Sequence, residues 1–131
     1  EIALRKVLNF GHTFAHAYEA SLGYSHKLNH GEAVILGMKT ALNFSLRENM
    51  LSKSEYNLII NHIDNSGLPS SIKKYFSIKD LNKILSFMIK DKKNNSEKIN
   101  LVLLKKIGKP IFNKQYYKKK INLFLRKFLT N

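Results

Sequence analysis

The chain has 131 residues, 44% of them hydrophobic, which suffices for the core of one ordinary domain. It contains no cysteine, no signal-peptide pattern and no apolar run long enough to span a bilayer, which excludes a disulfide framework or thiolate zinc site and predicts a cytoplasmic protein without a membrane partner. The net charge of +14 raises nucleic acid as a partner, but lysines far outnumber the three arginines, and nucleic-acid contacts favour the planar fork of arginine, so a solvated lysine-rich surface is expected.

The charge is uneven along the chain. The first fifty residues hold five basic and four acidic side chains, and the remainder holds eighteen and five. The sequence opens on Glu1 in place of Met, so a processed or cut N-terminus is expected.

Residues Ile2–Leu22 read as a first helix, with Leu4, Val7, Leu8 and Phe14 near helical spacing and Gly23 as its stop. Tyr24–Asn29 reads as a loop. A second helix is expected over about Gly31–Asn49. Its apolar and small residues (Ala33, Val34, Leu36, Gly37, Met38, Ala41) run nearly all round, which predicts burial. Ser52 and Glu55 have capping-box spacing and open a third helix that ends at Gly67, before Pro69. Ser77 and Asp80 resemble another cap, for a helix through about Lys90. Asp91–Lys98 is polar and reads as a loop. Asn100–Leu104 is short and apolar, Gly108–Pro110 reads as a turn, and a small hairpin is predicted near 99–112. A last helix is expected over about Lys114–Leu129. The fold class is mainly α.

Four of the five histidines, His12, His16, His26 and His30, lie close together in the sequence. His12 and His16 are four apart, so on a helix they share a face. Imidazole is a good zinc ligand, and a catalytic zinc takes about three protein ligands and leaves one position open. Two helical histidines and one from a later loop could supply that set, with Glu19 and Glu32 nearby. The alternative is a pair of partly buried histidines bonded to backbone. Asn9, His12, His16 and Glu32 are polar residues within apolar helical sequence, and burying them requires partners. A metal or a polar ligand would provide them.

The run from Glu1 and Arg5 through Leu8-Asn-Phe-Gly-His-Thr-Phe-Ala-His-Ala-Tyr-Glu19, followed by His30-Gly-Glu-Ala-Val34, resembles the 3-dehydroquinate synthase signature. Gly67-Leu-Pro69, Asp91-Lys-Lys93 and Ile99–Gly108 are similar to later blocks of that family, so the resemblance runs in order to about residue 110. It implies that residues 1–131 form the helical, metal- and substrate-binding C-terminal domain of a two-domain enzyme. That family converts 3-deoxy-arabino-heptulosonate 7-phosphate into 3-dehydroquinate and phosphate in the shikimate pathway. It uses NAD and a divalent metal, Zn2+ or another such as Co2+, and its complete members are expected to be homodimers.

Carried over by position, the resemblance makes His12 and His30 metal ligands. The third ligand is a Glu upstream of the residue matching Glu1. His16 becomes the acid/base group beside the metal and a substrate contact, a role suited to imidazole. Arg5 and Asn9 become substrate contacts, on one helical face with His12 if the first helix is continuous. Lys92 or Lys93 would reach the substrate's anionic end, a solvated loop lysine being the alternative. Glu1 matches a polar site residue. Glu32 either orients the neighbouring ligand or is a first-turn carboxylate favoured by the helix dipole. His26 and His62 match no site, and Tyr18 and Tyr24 read as packing residues.

Two departures stand out. Ala15 replaces the family's usual Gly, and the His12–His30 spacing is one residue longer than the commonest pattern, with the extra residue in the loop. The glycine-rich NAD-binding loop, which the family carries in its N-terminal half, has no counterpart among the six glycines of this chain. A fragment inactive alone is therefore expected. The competing readings are another sugar-phosphate cyclase, an iron-dependent alcohol or glycerol dehydrogenase, and, in a different class, a lysine-rich helical nucleic-acid-binding module.

Overall fold

The computed structural model describes residues 10–67, 71–90, 98–106 and 108–130. Five α-helices and one antiparallel hairpin make up the described elements: α1 (His12–Ser21), α2 (His30–Arg47), α3 (Lys53–Asn65), α4 (Leu81–Lys90), β1 (Lys98–Lys106), β2 (Lys109–Tyr117) and α5 (Lys118–Thr130). Two 3-10 turns, Ile72–Lys74 and Ile78–Asp80, lead into α4. The expected mainly helical fold with one hairpin is found.

Helix α2 is the central element, as its all-round apolar sequence requires. It buries Ala33, Leu36, Gly37, Thr40, Ala41, Leu42, Phe44 and Ser45. Phe44 meets Tyr116 and Phe124 edge-on, with ring centroids at 4.8 and 4.9 Å, and so joins α2 to the hairpin and α5. Helix α5 buries Ile121, Phe124, Leu125 and Leu129, the i, i+3, i+4, i+8 stripe of an amphipathic helix. Helix α3 is attached more lightly, through Ile63 against Leu42 and Leu51. Its Ser52 side chain accepts from the Glu55 N–H at 3.2 Å, the expected cap.

Three expectations are corrected. The first helix does not run through from Ile2: Phe10 and Gly11 form a turn, Gly11 has φ +77°, and α1 begins at His12. Gly11 lies on the backbone of Gly37, and a Cβ there would stand 2.7 Å from Met38 N. Only glycine permits both the left-handed backbone and this approach. No helix runs unbroken through Gly11 into His12, and the part of the expected first helix before Phe10, with Arg5 and Asn9, lies outside the described residues.

The hairpin is also longer than 99–112. Lys114–Tyr117 belongs to β2, with Lys98 facing Tyr117 and Ile99 facing Tyr116 in the register, so the last helix starts at Lys118. Burial of Ile99, Leu101 and Leu103 on one face of β1 recruits Tyr116 beneath the same core. The register shifts between Leu104 and Lys106, beside Pro110, which has no N–H for the ladder. Finally, Tyr24 is not a packing residue: it is 74% exposed on the loop, at φ +56°.

The described lysines follow the solvated-surface expectation. Those of the hairpin's Lys105–Lys114 stretch and of α5 are all exposed. Lys120 pairs with Glu48 at 2.9 Å. Gly67 ends α3 at φ +81°, while Leu68, Pro69 and the Asp91–Glu97 stretch lie outside the described residues.

Candidate metal- and substrate-binding site

Helices α1 and α2 meet where the small residues Gly11, Ala15 and Gly37 allow their backbones to touch. A Cβ on Gly37 would stand 2.8 Å from the Cβ of Ala15, so the alanine at position 15 fits because its neighbour has no side chain. Tyr18 is fully buried at the same interface. Its hydroxyl lies 2.7 Å from Thr40 Oγ1, which donates its own proton to the Leu36 carbonyl, so Tyr18 is the donor. Burial raises the Tyr18 hydroxyl above its ordinary pKa, as suits a packing residue. Thr13 donates to the Asn100 carbonyl at 3.2 Å and fixes the first turn of α1 against β1.

This contact sets the orientation of the histidines. His12, His16 and Glu19 occupy i, i+4 and i+7 of α1 and share its face. The rings of His12 and His16 are 5.5 Å apart, tilted by 44°. His12 is half-buried and His16 exposed. His30 is the first residue of α2, and its Nδ1 lies 3.1 Å from Glu19 Oε2. The structure thus joins His12 to His16 and His30 to Glu19 along one strip. His26 and His62 are exposed elsewhere.

Glu32 has a definite structural task. Asn29 caps α2: its side chain accepts from the Glu32 N–H at 2.8 Å, and Glu32 Oε1 accepts from the Asn29 N–H at 3.1 Å. Its other oxygen accepts from the Tyr75 hydroxyl at 3.0 Å, tying the 71–76 segment to the start of α2. The first-turn carboxylate alternative is realised. The Asn29 N–H, then Tyr75, with nearby Lys74, hold the Glu32 carboxyl below its ordinary pKa. The stabilisation this carries is complete above the ordinary glutamate value, about 4.3, and is lost as pH falls through the lower folded-state value. Glu32→Gln is expected to remove this part of the acid-side fall in stability, measured as thermal midpoint against pH for both proteins. An unchanged pH profile would show that the cap contributes nothing.

Among the described residues, no three His, Cys, Asp or Glu side chains are grouped to hold a metal ion. The imidazoles of this region are those of His12 and His16 on α1 and of His30 at the start of α2. Glu1, Arg5, Asn9, Lys92 and Lys93 lie outside the described residues. Sequence reasoning noted Glu19 without giving it a task, although its i+7 spacing from His12 was the available signal. Tyr75 carried no local signal, because its partner is 43 residues away.

The family model described as 3-dehydroquinate synthase C-terminal matches residues 1–94. The 3-dehydroquinate synthase of Pelagibacter ubique (strain HTCC1062) is 62% identical over 130 residues, covering 99% of this chain and 35% of that protein. That of Zymomonas mobilis is 38% identical over 121 residues, covering 92% and 32%. The crystal structure of 2-deoxy-scyllo-inosose synthase complexed with carbaglucose-6-phosphate, NAD+ and Co2+ shares the fold with a TM-score of 0.72 at 23% identity, over 91% of this chain and 34% of that one. The chain therefore spans about a third of the length of the curated relatives it matches.

Proposed function

The chain belongs to the 3-dehydroquinate synthase family, and from that premise we propose that it is the metal- and substrate-contacting C-terminal part of an enzyme that makes 3-dehydroquinate and phosphate from 3-deoxy-arabino-heptulosonate 7-phosphate. The observation that supports the reading is the polar face of α1, with the His12 and His16 rings 5.5 Å apart and Glu19, further along the same face, bonded to His30 at the start of α2. A divalent metal bound by His12, His30 and a carboxylate from the N-terminal portion would supply Lewis acidity toward a substrate hydroxyl, and NAD held by that portion would accept and return a hydride.

The chain's own residues have separate tasks. His12, half-buried and fixed by the first turn of α1, contributes a ligand nitrogen. His16, exposed one turn on, exchanges a proton with substrate, since its face is open. Arg5 and Asn9 contact substrate, the arginine as a fork for an anionic group. Lys92, or Lys93 next to it, takes the anionic end of the substrate. A cytoplasmic location and a homodimeric complete enzyme accompany this reading. Among the described residues no helix is long and apolar enough to cross a membrane.

Another sugar-phosphate cyclase activity is the second reading, favoured by the fold neighbour. The 62% identity with the Pelagibacter 3-dehydroquinate synthase supports the first reading.

The division of labour is testable in the chain joined to the N-terminal portion its relatives carry. His12→Ala is expected to lose the metal. His16→Ala is expected to keep it and to slow turnover by roughly 10²–10⁴-fold, the usual contribution of a positioned acid/base group. Zinc per subunit, measured beside the rate, separates the two. Equal zinc loss in both variants would make His16 a ligand and move the site toward the dehydrogenase pattern.

A further inference from the structure

We propose that Glu19 is a positioning residue for His30, fixing the tautomer in which Nε2 is the nitrogen offered to a metal. The proposal rests on the metal reading above and adds to it a residue that no sequence block assigned.

The argument starts from burial. The His30 side chain is 69% exposed, so packing alone does not hold its ring. The Glu19 side chain is only 14% exposed and sits on the packed helix α1, one turn beyond His16. The contact between them, Nδ1 to Oε2 at 3.1 Å, therefore joins an exposed ring to a largely buried acceptor. A carboxylate has lone pairs and no proton to give, so Nδ1 must carry the hydrogen. Neutral His30 is then the Nδ1–H tautomer, and its free lone pair is on Nε2. The backbone on either side of this residue is held by the reciprocal Asn29–Glu32 cap. Ring and backbone are thus both anchored, and one nitrogen remains available. A carboxylate on the far nitrogen of a ligating imidazole also raises its basicity, and removing such a partner typically costs about 10–100-fold in metal affinity.

A plain surface ion pair between Glu19 and protonated His30 is the rival account. It would contribute little to stability and nothing to metal affinity. The two differ in what the substitution changes.

The test is side-chain ¹⁵N–¹H correlation spectroscopy of the histidines in the 131-residue chain, metal-free and during titration with Zn2+ alone. In the wild type, His30 is expected as the Nδ1–H tautomer, with zinc shifting the His12 and His30 nitrogens together. Glu19→Gln is expected to give a mixture of tautomers and a zinc midpoint about 10–100-fold higher. Glu19→Asp keeps a carboxylate and is expected to retain the tautomer, which separates positioning from any general disturbance of α1. Circular dichroism of each variant checks that the helices persist.

A Glu19→Gln chain with the wild-type tautomer and the wild-type zinc midpoint would overturn the positioning role and leave the metal reading intact. Zinc that shifts neither His12 nor His30 when the same titration is run on the chain joined to the N-terminal portion its relatives carry would overturn the metal reading, and the positioning role with it.

Discussion

Gly11→Ala is expected to cost roughly 2–5 kcal/mol of folding stability, about 1–2 from a left-handed backbone with a Cβ and about 1–3 from overpacking. The substituted methyl would stand 2.7 Å from Met38 N and 2.8 Å from both the carbonyl carbon and oxygen of Gly37. These are backbone atoms of the central helix, so no rotamer change relieves the contact. The only response is to separate α1 from α2, which carries Glu19 away from His30. Gly23→Ala is the internal control. Gly23 also has positive φ, at +65°, but nothing lies within 4 Å of its Cβ position. It should lose only the backbone part, about 1–2 kcal/mol. Urea unfolding of the three proteins, with the slope checked for constancy, gives the comparison. Equal losses at positions 11 and 23 would mean that the helix contact is looser than described here.

The same contact explains which parts of the fold could be read from the sequence. Signals that act within a few residues were legible. Ser52 with Glu55, Gly67, and Ser77 with Asp80 each mark an element boundary close to where it falls, and Ser77 N–H donates to Asp80 Oδ2 at 2.8 Å. The apolar belt of α2 foretold its burial. Features decided by a distant partner were not legible. The break at Gly11 exists because Gly37, 26 positions later, lets two backbones meet, and the apolar spacing on either side of it continues as though the helix did. Lys114–Tyr117 runs without a turn signal into the lysines of the helix that follows. It becomes strand because Tyr116 packs on Phe44, far upstream in α2.

The site divides in the same way. The histidine pair on one face of α1 is a consequence of i, i+4 spacing and stood in the sequence, and the rings do approach to 5.5 Å. The partner of His30 did not, since Glu19 is on another helix. Glu32 was legible as either of two things, and the structure shows its carboxylate in the Asn29 cap, two residues from His30. An Asn in place of the Ser or Thr of the standard capping box hid that cap, although its side-chain oxygen accepts equally well.

The largest expected effect concerns catalysis. The 131-residue chain, supplied with 3-deoxy-arabino-heptulosonate 7-phosphate, NAD and Zn2+, is expected to form no 3-dehydroquinate above background. The proposed reaction needs a hydride acceptor held against the substrate, and the six glycines of this chain form no Gly-x-Gly-x-x-Gly fingerprint at a strand-to-helix turn. Free cofactor does not replace that placement. Holding reactants in register supplies roughly 7–11 kcal/mol of barrier reduction, and a diffusing dinucleotide forfeits it. The metal shell fails for a related reason. In the proposed site, two imidazoles without the carboxylate of the N-terminal portion would hold the ion weakly, so even the substrate's hydroxyl would lack its Lewis acid. Adding the N-terminal portion of a relative, fused or as a separate chain, is expected to restore turnover where the halves dock. The assay follows phosphate release together with product. Activity from the 131-residue chain alone, abolished by His12→Ala, would show that this third of the enzyme's length carries a hydride acceptor of its own, and the placement of NAD in the other part would be wrong.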